Sequence, residues 1–194
     1  KAPFLLEPFF IAFICKRCNY LFHSYFFYMS NLILRPWQKE DAQQLAAIAN
    51  NKSIWNNVLD SFPSPYTVMD ALQWIAKEST TTPVTKFAIY YNGKIVGSIG
   101  MNMQDDVYKN AVELGYFIGE SYWGKGIATE AIKVLVTHIN QKNKIDRVFA
   151  RVFEHNKASM KALQKAGFYL EGIQRKAAIK NNQILDVYVW VKLL

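Results

Sequence analysis

The decapeptide Tyr122-Trp123-Gly124-Lys125-Gly126-Ile127-Ala128-Thr129-Glu130-Ala131 decides how the chain is interpreted. Its two glycines precede a stretch, residues 127–140, whose inward-facing apolar side chains have the period of a helix: Ala131, Ile132, Leu135, Val136 and Ile139. The first N–H groups of a helix lack intrahelical acceptors and lie at the positive end of its dipole, so they bind anions. Glycine lets the backbone approach such an anion closely. The spacing alone also fits a plain glycine-rich turn between a strand and a helix.

Two better-known phosphate-binding motifs do not fit this stretch. A dinucleotide fingerprint requires Gly-x-Gly-x-x-Gly, but Thr129 occupies the last glycine position. No compact strand-helix-strand unit with a suitably placed acidic residue opens the domain either. A P-loop is excluded because the chain contains no Gly-x-x-x-x-Gly-Lys-Ser/Thr run.

Strand patterns lie on both sides of this predicted helix. Residues 110–119 and 147–153 flank it, and a strand-helix-strand order implies a parallel crossover. Asn92-Gly93, between apolar runs, predicts a tight hairpin. The other predicted elements are an edge strand over 31–36, helices over 39–50, 67–78 and 156–166, a strand over 168–173, and a last hairpin closing over 186–193. The chain therefore belongs to the α/β (α+β) class, with one domain.

The N-terminal residues 1–28 differ from the rest in composition. They are rich in Phe, Leu, Ile and Tyr and do not begin with methionine, so we interpret 1–28 as a non-native or leader segment and 29–194 as the domain. The apolar stretches around Lys16-Arg17 are shorter than the roughly 20 residues that cross a bilayer, and no small-x-small cleavage site follows them. The pair Cys15-x-x-Cys18 lacks the second pair that a zinc site requires. Residues 29–194 have no cysteine for a disulfide, which favours a cytoplasmic location.

The formal net charge of +8 comes from lysines and arginines that are dispersed along the chain. Dispersed charge is typical of a solvated surface, and a nucleic-acid-binding module would show a basic cluster with interleaved aromatic residues. A small polyanionic ligand fits the charge equally well. We therefore expect neither a nucleic-acid partner nor a membrane partner.

Two motifs in this order resemble a known family. The stretch from Tyr122 to Ala131 resembles the acyl-CoA loop of the GNAT acetyltransferase superfamily, and Asn156-x-x-Ser159-x-x-x-Leu163-x-Lys165-x-Gly167-Phe168 resembles the second hallmark of its ribosomal-protein N-terminal alanine acetyltransferase branch. The resemblance runs from about Asn31 to the C-terminus. Ser121 departs from the superfamily pattern, which prefers Gln or Arg there. The resemblance implies a mixed, mostly antiparallel sheet of six to seven strands flanked by helices, with a splayed parallel pair that forms the acyl-CoA cleft.

The same resemblance implies that acetyl-CoA is the acyl donor and that no metal takes part. The pantetheine arm would pair with the backbone of the strand that ends near Gly119. The pyrophosphate would bind backbone N–H groups of the loop, and the Lys125 side chain is as consistent with a solvated lysine as with a phosphate contact. The implied donor-binding residues are Phe117, Ile118, Gly124, Lys125, Gly126, Ile127, Ala128, Thr129 and Asn156.

Glu113 and Ser159 are the candidate catalytic residues. Acetyl transfer requires an amine freed of its proton and a protonated leaving thiolate, so a carboxylate and a hydroxyl form a natural pair. Glu113 lies between apolar neighbours and therefore on the opposite strand face, but it also fits an ordinary outward residue. The resemblance implies that Ser159 protonates the sulfur. A serine near a helix start also bonds to backbone, and Asn156 fits an N-cap equally well.

Three functions remain open from the sequence. The favoured one is acetylation of the N-terminal α-amine of a protein. A small-amine acetyltransferase shares every motif and would differ in the segment 55–74 and in the last hairpin around 180–183, which the family uses to shape the acceptor site. A non-catalytic CoA-binding module is the third possibility, against which Glu113 and Ser159 argue. Either a monomer or a homodimer fits the sequence.

Overall fold

The computed structural model describes residues 27–29, 31–142 and 145–194. Helices α1 to α5 span Ala42–Ala49, Lys52–Trp55, Val68–Ser79, Ile127–Lys142 and Lys157–Lys165. Strands β1 to β8 span Phe27–Met29, Leu32–Pro36, Lys86–Tyr91, Lys94–Met103, Ala111–Ile118, Arg147–Phe153, Tyr169–Lys180 and Gln183–Leu193. Short 3-10 turns occur at Lys39–Asp41, Asp106–Tyr108 and Glu120–Tyr122. The alternation of strands with two crossover helices confirms the predicted class.

The strands form one sheet in the order β1-β2-β3-β4-β5-β6-β8-β7. All neighbouring pairs among the described strands are antiparallel except β5 and β6, which are parallel and joined through α4. From Leu32 onward the sheet has seven strands, in agreement with the six to seven expected, and the three-residue β1 adds an eighth. The domain boundary at Met29 stays a prediction, and the Cys15-x-x-Cys18 pair lies outside the described residues.

Helices cover the sheet on both faces. The inward residues predicted for α4 are all buried, and with α5 they pack on one face against Val112, Leu114 and Val148. Helices α1 and α3 pack on the opposite face around Leu45, Ile75 and Ile95. Each large aliphatic side chain removed from water stabilises the fold by roughly 1.5–3 kcal/mol. The α4–α5 layer therefore packs on β5 and β6, whereas the α1–α3 layer packs mainly on β3 and β4.

The α1–α3 segment contains one more helix than predicted. Thr67 caps α3 in a reciprocal capping box with Asp70, as the sequence predicted. Between α1 and α3, Asn51 accepts a hydrogen bond from the Ile54 backbone and starts the four-residue helix α2. A single turn is too short to produce a helical period, so the sequence pattern did not reveal it.

The last hairpin is longer than predicted. Strand β7 runs to Lys180 because Asn181 and Asn182 adopt positive φ angles of 51° and 60° and form a two-residue turn. Because β7 lies at the exposed edge of the sheet, its residues are largely polar and do not alternate regularly. The sequence pattern therefore did not predict the strand beyond residue 173. Tyr169 lies on that edge and is exposed.

Candidate active site

Strands β5 and β6 pair only at their beginnings. Their register runs from Ala111 opposite Arg147 to Glu113 opposite Phe149 and then stops. Beyond this fork, β5 stays paired with β4 and β6 with β8, so the two strands part. Beyond the fork, a cavity of about 520 Å³ opens between the end of β5, the start of α4 and α5. The splayed parallel pair predicted from the sequence is therefore confirmed, and we call this space the first cavity.

The glycine loop closes one end of the first cavity. Gly124 and Gly126 have φ angles of +75° and +78°, a conformation that other residues adopt with strain. A Cβ atom at either position would meet nothing within 4 Å, so the glycines are needed for their conformation rather than for space. The Glu130 N–H donates to the Gly126 carbonyl at 3.1 Å, and the three preceding N–H groups of α4 have no intrahelical acceptor. The loop therefore offers an anion site at a helix N-terminus.

Eight of the nine predicted donor-binding residues line the first cavity: Phe117, Ile118, Gly124, Gly126, Ile127, Ala128, Thr129 and Asn156. Lys125 is outside that lining. Its Nζ donates to the Ser121 carbonyl at 3.0 Å and lies 5.1 Å from the centre of the Tyr122 ring. The Lys125 side chain is thus folded back across its own loop. Its backbone N–H, rather than its ammonium group, is therefore the group that could bind the pyrophosphate.

Beyond the fork, one backbone carbonyl on the free edge of β5 already accepts a hydrogen bond from a side chain. The Gly119 N–H donates to Val96 of β4 at 2.8 Å, so the Ile118 carbonyl on the same peptide unit points towards the fork. There it accepts a hydrogen bond of 2.7 Å from the Trp123 indole. The Phe117 carbonyl instead lies against Gly97 of β4. Phe117 and Ile118 both line the first cavity, but the backbone groups of Phe117 point towards β4 and those of Ile118 point towards the fork. Ile118 is therefore the residue whose backbone could pair with the pantetheine arm.

Ser159 and Tyr116 meet at the wall of the first cavity, between β5 and α5. The Tyr116 hydroxyl is 2.7 Å from Ser159 Oγ and 3.3 Å from the Ser159 carbonyl oxygen. Burial raises the pKa of Tyr116 to about 12. Asn156 caps α5, because its Oδ1 accepts from the Ser159 N–H at 3.1 Å. The N-cap role considered for Asn156 is thus confirmed, and Tyr116 is a residue that the sequence interpretation missed.

Glu113 lies at the fork but on the opposite face of the sheet. Its carboxylate forms a bidentate pair with Arg151 of β6, with both N–O distances 2.8 Å. The hydrogen bond with Glu113 raises the pKa of Arg151. Strand alternation directs Glu113 away from the buried Val112 and Leu114, as predicted. The pair bridges β5 and β6 where they separate.

A second cavity, of about 620 Å³, lies on the same face of the sheet and is lined by Arg151 of this pair, but not by Glu113. It takes residues from β5 to β8 and from the loop before β5, among them Tyr108, Arg147, Phe149, Arg151, Glu171 and Val189. Arg147 and Glu171 form another bidentate pair, and this hydrogen bonding lowers the pKa of Glu171. Neither Arg151 nor this cavity was predicted from the sequence, although the alternation of β6 places Arg147 and Arg151 on the same face of the strand.

The α1–α3 arm and the last hairpin contact each other. Lys180 donates to Asp60 at 2.6 Å, and its Nζ lies 3.4 Å from the centre of the Trp55 ring. Asn181 donates to Asn56 at 3.1 Å. The arm also contributes Ile54, Asn57 and Val58 to the first cavity. The two segments predicted to shape the acceptor site are therefore joined.

Trp74 and the two histidines His138 and His155 lie in different parts of the fold. Trp74 packs edge-on against Trp37 with ring centres 5.7 Å apart, within the α1–α3 layer. His138 is buried, and His155 lines the first cavity beside Asn156. Among the described residues, no three His, Cys, Asp or Glu side chains are grouped so that they could hold a metal ion. No helix in the described part of the chain is both long and apolar enough to span a membrane.

A cleft between two parting parallel strands, with a glycine-led helix N-terminus at one end, defines an acyl-CoA-dependent transferase. The residues fit the donor, since the loop supplies N–H groups for phosphates and the fork supplies a strand edge for an amide-containing arm. The chain belongs to the GNAT acetyltransferase family, because the acetyltransferase (GNAT) domain matches residues 31–169. It is an N-acetyltransferase, and acetyl-CoA is its acyl donor.

Individual relatives agree with this assignment. The chain is 28% identical over 166 residues to the uncharacterized N-acetyltransferase p20 of Bacillus licheniformis, covering 84% of this chain and 93% of the relative. It is 29% identical over 108 residues to a ribosomal-protein-serine acetyltransferase of Escherichia coli, covering 56% of this chain and 60% of the relative. RimL, a ribosomal α-N-protein acetyltransferase solved with coenzyme A, has the same fold, with a TM-score of 0.77 at 20% identity over 86% of this chain and 96% of that one.

Proposed function

We propose that the chain transfers the acetyl group of acetyl-CoA to the N-terminal α-amine of a protein. The observation that carries this proposal is the position of Glu113 at the fork, on the sheet face opposite the glycine loop and bound to Arg151, which lines the second cavity. An amine that enters from the second cavity meets the thioester at the fork without crossing the donor. The remaining residues of a peptide then lie along the sheet face of β6 to β8.

The residues at the fork have complementary roles in this proposal. Glu113 accepts the proton of the amine, directly or through water. Ser159 donates its proton to the departing sulfur. The loop N–H groups from Lys125 to Thr129 hold the pyrophosphate, and Ile118 and Asn156 hold the pantetheine arm. The donor and the acceptor thus approach the fork from opposite faces.

The charges of the second cavity also support a peptide acceptor. Two arginines on β6 and two glutamates present both signs of charge along the same face. A peptide backbone and mixed side chains pair with such a surface more readily than an aliphatic polyamine, which carries only positive charge. The relatives that act on ribosomal proteins agree with this choice.

A small-molecule amine is the second candidate, and two hydrogen bonds favour it. Lys180 and Asn181 tie the last hairpin to the arm, and the arm lines the first cavity, so the two segments would enclose a compact acceptor. The chain is also 30% identical over 89 residues to a spermine/spermidine acetyltransferase of Bacillus subtilis, covering 43% of this chain. A cytoplasmic location suits either acceptor and stays a prediction.

A panel of amines separates the two candidates. The purified chain is mixed with acetyl-CoA and with peptides that begin with serine or alanine, the same peptides with blocked N-termini, spermidine, and free amino acids. We expect thiol release, and a mass gain of one acetyl group, with the unblocked peptides. Turnover of spermidine or free amino acids with none of the peptides would overturn the protein-acceptor proposal and favour the small-amine one.

A further inference from the structure

Tyr116 lies on β5 beside the first cavity. By strand alternation its side chain shares a face with Leu114 and Ile118, opposite to Glu113. It contacts α5 through its hydroxyl, which is 2.7 Å from Ser159 Oγ. The glycine loop and the motif that begins at Asn156 do not include it. Its position is set only by the packing of β5 against α5.

The Ser159 hydroxyl has one proton, and its direction decides whether Ser159 can assist the reaction. If Ser159 donates to Tyr116, it has no proton left for an atom in the first cavity. If Tyr116 donates to Ser159 Oγ, the Ser159 proton is free to point into the cavity that both side chains line. A sulfur atom there is an acceptor, so its presence favours the second arrangement.

Two oxygens of Ser159 compete for the Tyr116 proton, and Oγ at 2.7 Å is closer to the Tyr116 hydroxyl than the carbonyl oxygen at 3.3 Å. The Asn156 side chain fixes the Ser159 backbone at the start of α5, so the serine side chain and its hydroxyl rotor are what remain to be fixed. Burial raises the pKa of Tyr116 to about 12, so its hydroxyl stays protonated and able to donate throughout the neutral range. Hydrogen bonds in such a chain polarise one another and strengthen the terminal donor.

We propose that Tyr116 is a positioning residue that donates a hydrogen bond to Ser159 Oγ and thereby directs the Ser159 proton towards the departing sulfur. The inference rests on the proposed role of Ser159. In the reaction, the amine nitrogen forms a bond to the acetyl carbon while the carbon–sulfur bond breaks with its electron pair on sulfur. Glu113 takes one proton from the amine and the thiolate takes one from Ser159; Ser159 then regains a proton from water as Glu113 releases one to water, so the protons balance. Tyr116 keeps its own proton overall and orients the donor.

The test uses a double-mutant cycle of Tyr116→Phe and Ser159→Ala, with thiol release from acetyl-CoA as the readout. Hydroxylamine serves as the acceptor, so the result does not depend on the natural amine, and the uncatalysed rate is subtracted. We expect Tyr116→Phe to lower kcat about 3–10-fold, the loss of one neutral hydrogen bond, with KM for acetyl-CoA unchanged within about twofold. We expect Ser159→Ala to lower kcat about 10–100-fold, and the double variant to match it.

Tyr169→Phe is the matched control, because Tyr169 is exposed on β7 and lies outside both described cavity linings. Its kcat should stay at the wild-type value. The proposal is overturned if Tyr116→Phe keeps wild-type kcat, or if its effect adds fully to that of Ser159→Ala, as a separate structural effect would. Failure of the peptide panel with an intact cycle would reject only the protein acceptor.

Discussion

The first and second cavities differ in how their walls are built. The first is lined mainly by two continuous stretches, residues 116–129 and 155–165, and offers backbone N–H groups at a helix N-terminus. The second takes side chains from four strands and one loop, and its arginines are held by glutamates from other strands. The donor side is therefore local in sequence, whereas the acceptor side is assembled by the tertiary fold.

This difference teaches where specificity can change. A site of backbone groups and glycines tolerates substitution of neighbouring side chains, so one donor suits many family members. A site of side chains from distant strands changes with single substitutions. Variants on the donor side should therefore affect binding of acetyl-CoA, and variants on the acceptor side should affect turnover or acceptor affinity.

The largest effect is expected for Gly126→Glu on the donor side. A carboxylate at the first turn of α4 occupies and repels the anion site, so acetyl-CoA binding should weaken by about 100-fold or more, as measured by calorimetric titration. Gly126→Ala is the control for backbone strain. An alanine at this φ angle costs about 1–2 kcal/mol and meets no neighbouring atom within 4 Å, so the loss should be far smaller. Wild-type affinity in Gly126→Glu would contradict the anion site.

The same difference explains what the sequence could predict. The Gly124 and Gly126 loop, the start of α4 and the N-cap of α5 follow from local chemistry, and the structure agrees with each. The Arg151 pair and the hydroxyl contact of Tyr116 join residues that are 38 and 43 positions apart. No periodicity in a single sequence carries such a pairing. The register of β5 and β6 had to be known before either contact could be inferred.

The next effect is expected for Glu113→Gln. If Glu113 is the base, kcat should fall about 100-fold or more, while the Kd of acetyl-CoA stays unchanged. Glu171→Gln is the matched variant, since Glu171 also forms a bidentate pair with an arginine of β6 on the same face. It should alter the KM of the acceptor rather than kcat. Wild-type kcat in Glu113→Gln would place the base elsewhere.

The smallest effect is expected for Lys180→Met, which releases the last hairpin from the arm. Methionine keeps much of the side-chain volume but loses the contact with Asp60 and with the face of Trp55. The Asp60 side chain is 68% exposed, so solvent weakens its ion pair with Lys180. Most of the effect should therefore come from loss of the cation–π contact, which contributes about 0.5–2 kcal/mol. We expect the acceptor KM to rise about 3–10-fold in steady-state assays, with the Kd of acetyl-CoA changed less than about threefold.

Lys52→Met is the control that decides what this contact does. Lys52 also lies over the Trp55 ring, with its Nζ 3.6 Å from the ring centre, but it belongs to α2 itself and does not bridge to the hairpin. If only Lys180→Met raises the acceptor KM, the bridge between arm and hairpin contributes to acceptor binding. Equal effects of both variants would mean that the charge beside Trp55 matters and the bridge does not. The acceptor side would then be less dependent on the tertiary fold than the comparison of the two cavities implies.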